Sequence, residues 1–156
     1  MKSLALPDFT LENWQSKIRD RVSVHERYQE LAPWSFPETA DIVYHDRSGR
    51  LTQLLIEKRY LEQSIWEGQC PEYCIEVKCT TGPLKMPFYC SPNQYELMEL
   101  RKLTGSKISN KIYLIARVFA LGDSGMEMKL YLDPATLRRD GVLKFRADKY
   151  VVTPVT

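Results

Sequence analysis

The sequence predicts an α/β or α+β domain built on a mixed β-sheet. Three observations predict it. Helix-type and strand-type apolar periods follow one another along the chain in the order helix, strands, helix, strand, strand. The run from Ile112 to Leu121 is almost wholly apolar, as a central strand covered on both faces must be. A strong helix start, Ser91-Pro92-Asn93-Gln94, stands between that run and the earlier β-like run Tyr73–Thr80.

Taken in order, Thr10 is an N-cap candidate with Phe9 and Trp14 at the staple positions. Leu11, Trp14, Ile18 and Val22 continue as one helical stripe. The stripe breaks at Ser23-Val24-His25-Glu26, a new capping box, and Val24, Tyr28 and Leu31 form the next apolar face. The pattern predicts two short helices or one kinked helix ending before Pro33, then a proline-bearing loop to Glu38. Thr39–Asp46 reads as a strand, Asp46-Arg47-Ser48-Gly49 as a turn and Leu51–Ile56 as the returning strand. From Glu57 to Pro71 neither period fits, and residues 51–71 read as an insertion within the domain.

The strand carrying Glu76 and Lys78 follows, and Gly82-Pro83 and Pro87 then mark a loop. The helix from Ser91 is expected to run through Met98 and Leu103 to a stop at Gly105, burying both residues over the Glu76 strand. Its N-terminus would turn backbone N–H groups toward an incoming phosphate. Gly122–Gly125 reads as a hairpin loop, and Met126, Met128, Leu130 and Leu132 alternate with polar residues. The tail offers a proline-started helical turn and a short strand near Tyr150-Val151-Val152.

A chain of 156 residues supports one well-packed core, so residues 1–156 read as one domain, whether alone or as a piece of a longer protein. Hydrophobic and charged fractions of 44% and 27% are those of an ordinary globular domain. With a net charge of +2, no dominant field argues by itself for nucleic acid. Basic residues do cluster locally: Arg101, Lys102, Lys107, Lys111 and Arg117 without an intervening acid, then Arg138, Arg139, Lys144, Arg146 and Lys149. Either cluster taken alone reads as a solvated face before a phosphate-binding one. No apolar run is long enough to span a membrane and no apolar leader opens the chain, so no membrane role is expected. Cys70, Cys74, Cys79 and Cys90 lack CxxC spacing or paired histidines; they read as reduced thiols of an intracellular protein, nuclear or cytoplasmic.

The chemistry-bearing feature is Ile75-Glu76-Val77-Lys78. Side chains alternate in a strand, so Glu76 and Lys78 share one face while Ile75 and Val77 share the other. A carboxylate and an ammonium in an otherwise apolar strand are costly unless they pair or meet a ligand. An acid-x-Lys pair joined by a second acid from the fold can bind Mg²⁺ and cut a phosphodiester.

The block Ile75-Glu76-Val77-Lys78, Thr80-Thr81-Gly82, Pro87-Phe88-Tyr89 and Ser91-Pro92-Asn93-Gln94 resembles the signature of the protein NO VEIN C-terminal domain family. Ala40-Asp41-Ile42-Val43-Tyr44 with the turn at 46–49 is similar to that family's upstream strand. Ile112–Phe119 and Leu132-Asp133-Pro134 also fit, so the resemblance spans residues 23 to 152. That family is grouped with the PD-(D/E)xK nuclease-like superfamily. The resemblance therefore implies a restriction-endonuclease-like core: a helix, a strand meander, a helix and a further strand. It implies a catalytic set of Asp41, Glu76 and Lys78, with Mg²⁺ or Mn²⁺ held by the two carboxylates and the backbone carbonyl of Val77. Lys78 would orient the water or steady developing charge. Two departures stand out: Asp41 follows Ala40 rather than a proline, and the connection from Asp41 to Glu76 is long.

Other residues have plainer readings. Asp46 rivals Asp41 but suits a turn-initiating role better. Gln94 sits where a site-facing glutamine would, yet Ser91-x-x-Gln94 is itself a capping box, and Glu26 has the same alternative with Ser23. Arg117 interrupts an apolar strand and calls for an acidic partner or a phosphate, a structural ion pair first. His25 and His45 are isolated, and Cys79 reads as a small buried residue. Two functions follow. One is a metal-dependent nuclease-like domain that engages nucleic acid; the other is a catalytically inactive module of the same fold that binds a protein partner or its parent chain.

Overall fold

The computed structural model describes residues 6–17, 19, 31–37, 39–103 and 110–146. Four strands form one mixed sheet: β1 (Ile42–His45), β2 (Glu72–Cys79), β3 (Lys111–Phe119) and β4 (Glu127–Leu132), in the spatial order β1-β2-β3-β4. β1 and β2 are antiparallel, β2 and β3 parallel, and β3 and β4 antiparallel. The parallel step needs a crossover, and α3 (Pro92–Leu100) supplies it. With α1 (Arg50–Glu57), α2 (Gln63–Trp66) and α4 (Pro134–Arg139), this is an α+β domain with helices flanking a mixed sheet, as the sequence predicts.

Cores lie on both faces of the sheet. On one face Tyr44, Tyr73, Ile112, Leu114 and Ala116 pack with Leu55, Leu61 and Trp66. On the other, Val43, Cys74, Tyr113 and Ile115 pack with Met98 of α3 and with Phe88, Cys90 and Leu97 beside it. Residues 112 to 117 of β3 are all buried, which is why that strand reads as a continuous apolar run.

Residues 51–71 depart from the sequence reading. Arg50–Glu57 is a helix, not a returning strand, and a second helical turn follows at Gln63–Trp66. Leu51, Leu54 and Leu55 stand at i, i+3 and i+4, the helical spacing, and Leu55 is fully buried. Asp46 starts the helix: its Oδ2 accepts from the Thr52 N–H at 2.7 Å and the Thr52 hydroxyl at 2.8 Å. Gly49 precedes it at φ 67°, a left-handed conformation that glycine adopts without strain. Because Leu55, Leu61 and Trp66 belong to the core, the segment completes one face of the sheet, and each side chain contributes about 1.5–3 kcal/mol of burial.

The first stripe is also shorter than expected. A 3₁₀ turn spans Leu11–Asn13, and Trp14 then bridges to Ile42 in antiparallel fashion instead of continuing a helix. Ile18 and Val22 of that stripe, the capping box at Ser23, the face from Val24 through Tyr28 and the strand at residues 150–152 lie outside the described residues, whereas α3 ends at Leu100, capped by Arg101, and does not run through Leu103 to the stop expected at Gly105. β1 begins at Ile42, three residues later than the strand expected from Thr39. Asp133 opens α4 as expected of a proline-started turn, its carboxylate accepting from the Thr136 N–H at 3.2 Å. Among the described residues no helix is long and apolar enough to cross a membrane.

Candidate functional site

β2 carries the site because its two faces differ in chemistry. Residues 73, 75 and 77 point to the face covered by α1 and α2, so Cys74, Glu76 and Lys78 point to the face covered by α3. Glu76 is 3% exposed. A carboxylate that buried needs partners, and it has three. Lys78 Nζ lies 2.9 Å from Glu76 Oε1, the Gln94 side-chain amide donates to the same oxygen, and the Tyr113 hydroxyl donates to Oε2 at 3.4 Å. Lys78 also donates to Gln94 Oε1 at 3.1 Å, which closes a three-membered polar ring.

α3 places Gln94. Ser91 is its N-cap, with Oγ accepting from the Gln94 N–H at 3.2 Å, and Gln94 Oε1 accepts from the Ser91 N–H at 2.9 Å. The expected capping box is therefore present, and the same amide also reaches Glu76 and Lys78. Capping and facing the site are one role here, because the first turn of α3 stands over β2. Met98 is buried on that face as expected, whereas Leu103 lies beyond the helix end and packs with the opposite core. Within that turn the Gln94 N–H is taken up by Ser91 Oγ and the Ser91 N–H by Gln94 Oε1.

Asp41 immediately precedes β1. The pairing of Ile42 with Ile75 directs the chain so that Asp41 comes opposite Glu76. Its Oδ2 accepts the Val77 N–H at 2.8 Å, capping the β1–β2 ladder where β1 begins. The N–H and C=O of one extended residue face the same edge, so the Val77 carbonyl is turned toward Asp41 as well. Asp41, Glu76, Lys78 and the Val77 main chain are thus gathered at one end of the β1–β2 pair. Electrostatics agree. Burial, and then the charge of Asp41, hold the Glu76 carboxyl above its ordinary value, against the pull of Lys78. Burial and the neighbouring Glu76 push the Tyr113 hydroxyl up, so it stays a neutral donor.

The remaining sequence candidates fall elsewhere. Asp46 is fully buried in the turn before α1 and serves that helix, not the site. His45 is an exposed partner of Glu72 at 3.0 Å on the β1 edge. His25 and Glu26 lie outside the described residues. All four cysteines are unpaired; Cys79 is exposed, not buried, because it ends β2 beyond the helical cover. Cys74 is the buried one, its thiol pushed up to about 11 chiefly by burial. Tyr113 has no signal in the sequence, because its partnership with Glu76 depends on the parallel register of β2 and β3.

Arg117 corrects a further expectation. Among the described residues it forms no ion pair, although it is 1% exposed. One guanidinium nitrogen donates to the Met86 carbonyl at 3.0 Å, and the group lies 5.1 Å from the Phe88 ring centroid. Among the described residues no three His, Cys, Asp or Glu side chains converge as a metal-ligating group. Any ion held here would rest on two carboxylates and the main chain. Compared with protein-family models, with curated proteins and with solved structures, the chain matches none.

Proposed function

We propose that the domain is a Mg²⁺- or Mn²⁺-dependent nuclease-like module that engages nucleic-acid phosphodiesters through Asp41, Glu76 and Lys78. One observation carries the reading: a buried carboxylate, a lysine two residues on, and a second acid from just before the neighbouring strand gather at one strand end. A structural ion pair needs no second acid. Burial first, and the Asp41 charge after it, hold the Glu76 carboxyl up, and a cation between the two acids would relieve their repulsion. The antiparallel β1–β2 pair, the α3 crossover and the parallel β3 support the reading in part, although α1 and α2 stand where the resemblance implies a continuous strand meander.

The donor set fits such an ion. Asp41, Glu76 and the Val77 carbonyl are all oxygen donors, the hard ligands that Mg²⁺ and Mn²⁺ take. Bound there, the ion would polarise a phosphate oxygen and lower the pKa of a coordinated water. Within this chain, Lys78 holds positive charge next to Glu76, placed to orient a nucleophilic water or steady charge building on phosphate. Gln94 fixes the directions of both side chains through its amide. Tyr113 donates to the second Glu76 oxygen, which aims the first at Lys78.

A second reading rests on the completeness of the same ring. Glu76 is satisfied by Lys78, Gln94 and Tyr113 with no ligand, so the cluster could serve specificity of folding in an inactive protein-binding module. Incubation of the purified protein with single- and double-stranded DNA and RNA, in Mg²⁺ and in Mn²⁺, separates the two. Cleavage that falls more than about a hundredfold in Asp41→Asn, Glu76→Gln and Lys78→Met supports the nuclease. No metal-dependent cleavage of any of the four substrates, or cleavage unchanged in those variants, supports the interaction module.

A further inference from the structure

We propose that Arg117 is the phosphate-recognition residue of this site, reading a nucleic-acid backbone phosphodiester beside the carboxylates; the proposal rests on the nuclease-like reading above. The register brings three cations into one row across the sheet. Lys78 of β2 is the lateral partner of Arg117 of β3, and Arg117 is the partner of Lys129 of β4. Lateral partners share a face, so the row lies on the α3 side, one step along the strands from Glu76. Among the described residues, only Lys78 of the three has its charge answered, by Glu76. Lys129 is exposed, and Glu127, the nearest acid of β4 on that face, stands opposite Phe119 without pairing to Arg117.

Arg117 is where the row departs from a structural reading. Its Nε is buried and, among the described residues, has no hydrogen-bond partner. A guanidinium offers five donors in a planar fork suited to two oxygens of one phosphate. Burying that fork with one edge unmet is unfavourable for stability alone, but it presents a prepared, poorly hydrated donor to an anion.

The cover over this donor is light. Met86 supplies the carbonyl and Phe88 the ring, both from the loop between β2 and α3. Met86 itself is exposed; its sulfur accepts from the Thr80 hydroxyl at 3.1 Å and its N–H donates to the Pro83 carbonyl at 3.0 Å. Phe88 packs on the core of that face, whereas the exposed Met86 side of the cover is held by these two bonds and opens at lower cost. Moved aside, it frees the Arg117 fork beside Lys78, where a phosphodiester would meet two cations next to the Asp41–Glu76 carboxylates.

The test uses whole protein in EDTA, so binding is measured apart from metal-dependent cleavage. The Arg117 Nε–Hε resonance is followed by NMR during titration with a short single-stranded DNA lacking terminal phosphates, and separately with inorganic phosphate. DNA should shift that resonance to saturation, while inorganic phosphate shifts it only at higher concentration. Arg117→Met should weaken DNA binding about tenfold or more, lower the log-log salt slope by about one, and melt no lower than wild type, because an unmet buried charge has gone. If that variant fails to fold, Arg117→Lys keeps the charge without the fork and should still bind several-fold more weakly. An unmoved resonance, DNA affinity unchanged in the folded variant, or a shift with inorganic phosphate and none with DNA would each overturn the proposal. Loss of cleavage with this binding intact would instead count against the nuclease reading alone.

Discussion

Removing Lys78 should destabilise the protein much more than removing Lys78 and Glu76 together. The two charges are 2.9 Å apart, with side chains 15% and 4% exposed. At an effective dielectric constant of about 20, that separation gives a gross attraction of roughly 6 kcal/mol. Desolvation offsets most of it, so the intact pair adds little net stability. Lys78→Met strips the cation and leaves Glu76 buried against Asp41, at a cost of about 3 kcal/mol near pH 8. For a domain of this size that lowers the melting temperature by about 6–12 °C. Glu76→Met costs less, because Lys78 keeps its bond to Gln94 and has some access to solvent. The double variant should lie within about 1 kcal/mol of wild type. Urea denaturation of the four proteins would then give a coupling energy of at least about 2 kcal/mol. At pH 5 the Lys78→Met penalty should shrink, since a Glu76 without its cation takes up a proton. A coupling below about 0.5 kcal/mol would mean that the pair is solvated, and the description of the site would be wrong.

Three further outcomes follow from the same structure. The Glu76 carboxyl is held above its ordinary value near 4.5, first by burial, so its stabilisation is complete below that pH and is lost as pH rises through the folded-state value. Wild type should therefore lose stability relative to Glu76→Gln from about pH 4.5 upward in parallel denaturation curves, and a rise would contradict the burial. Ser91→Ala should cost about 1 kcal/mol as a lost N-cap. Gln94→Ala should cost about 2–3 kcal/mol, because it also leaves Glu76 and Lys78 short of a partner, and equal losses would mean that Gln94 only caps. Met98→Ala should cost about 2–5 kcal/mol in urea, since the side chain is fully buried between α3 and the sheet.

How much of this could be read beforehand follows the range of each interaction. β2, β3 and the start of α3 were legible because alternation, an unbroken apolar run and a Ser-Pro-x-Gln cap are local signals. The side-chain parity of Glu76 and Lys78 belongs to the strand itself, so half of the site was legible too. α1 is not legible because Leu51–Ile56 is short and aliphatic, a pattern that suits either element. The residue that decides it, Asp46, acts from across a turn. Tyr113 and the Met86 cover on Arg117 depend on strand register and on a loop path, which a single sequence does not display. Gln94 looked like a choice between capping and the site, and geometry lets one amide do both.

The cation site proposed above pairs Asp41 with Glu76 and sets Lys78 beside them. The most direct measurement is Mn²⁺ binding followed by electron paramagnetic resonance in the absence of any substrate, comparing wild type with Asp41→Asn and Glu76→Gln. Wild type should hold one ion, competed by Mg²⁺, and each variant should lose that ion while the fold persists. Absence of a bound ion in wild type, or binding that survives both substitutions, would contradict it.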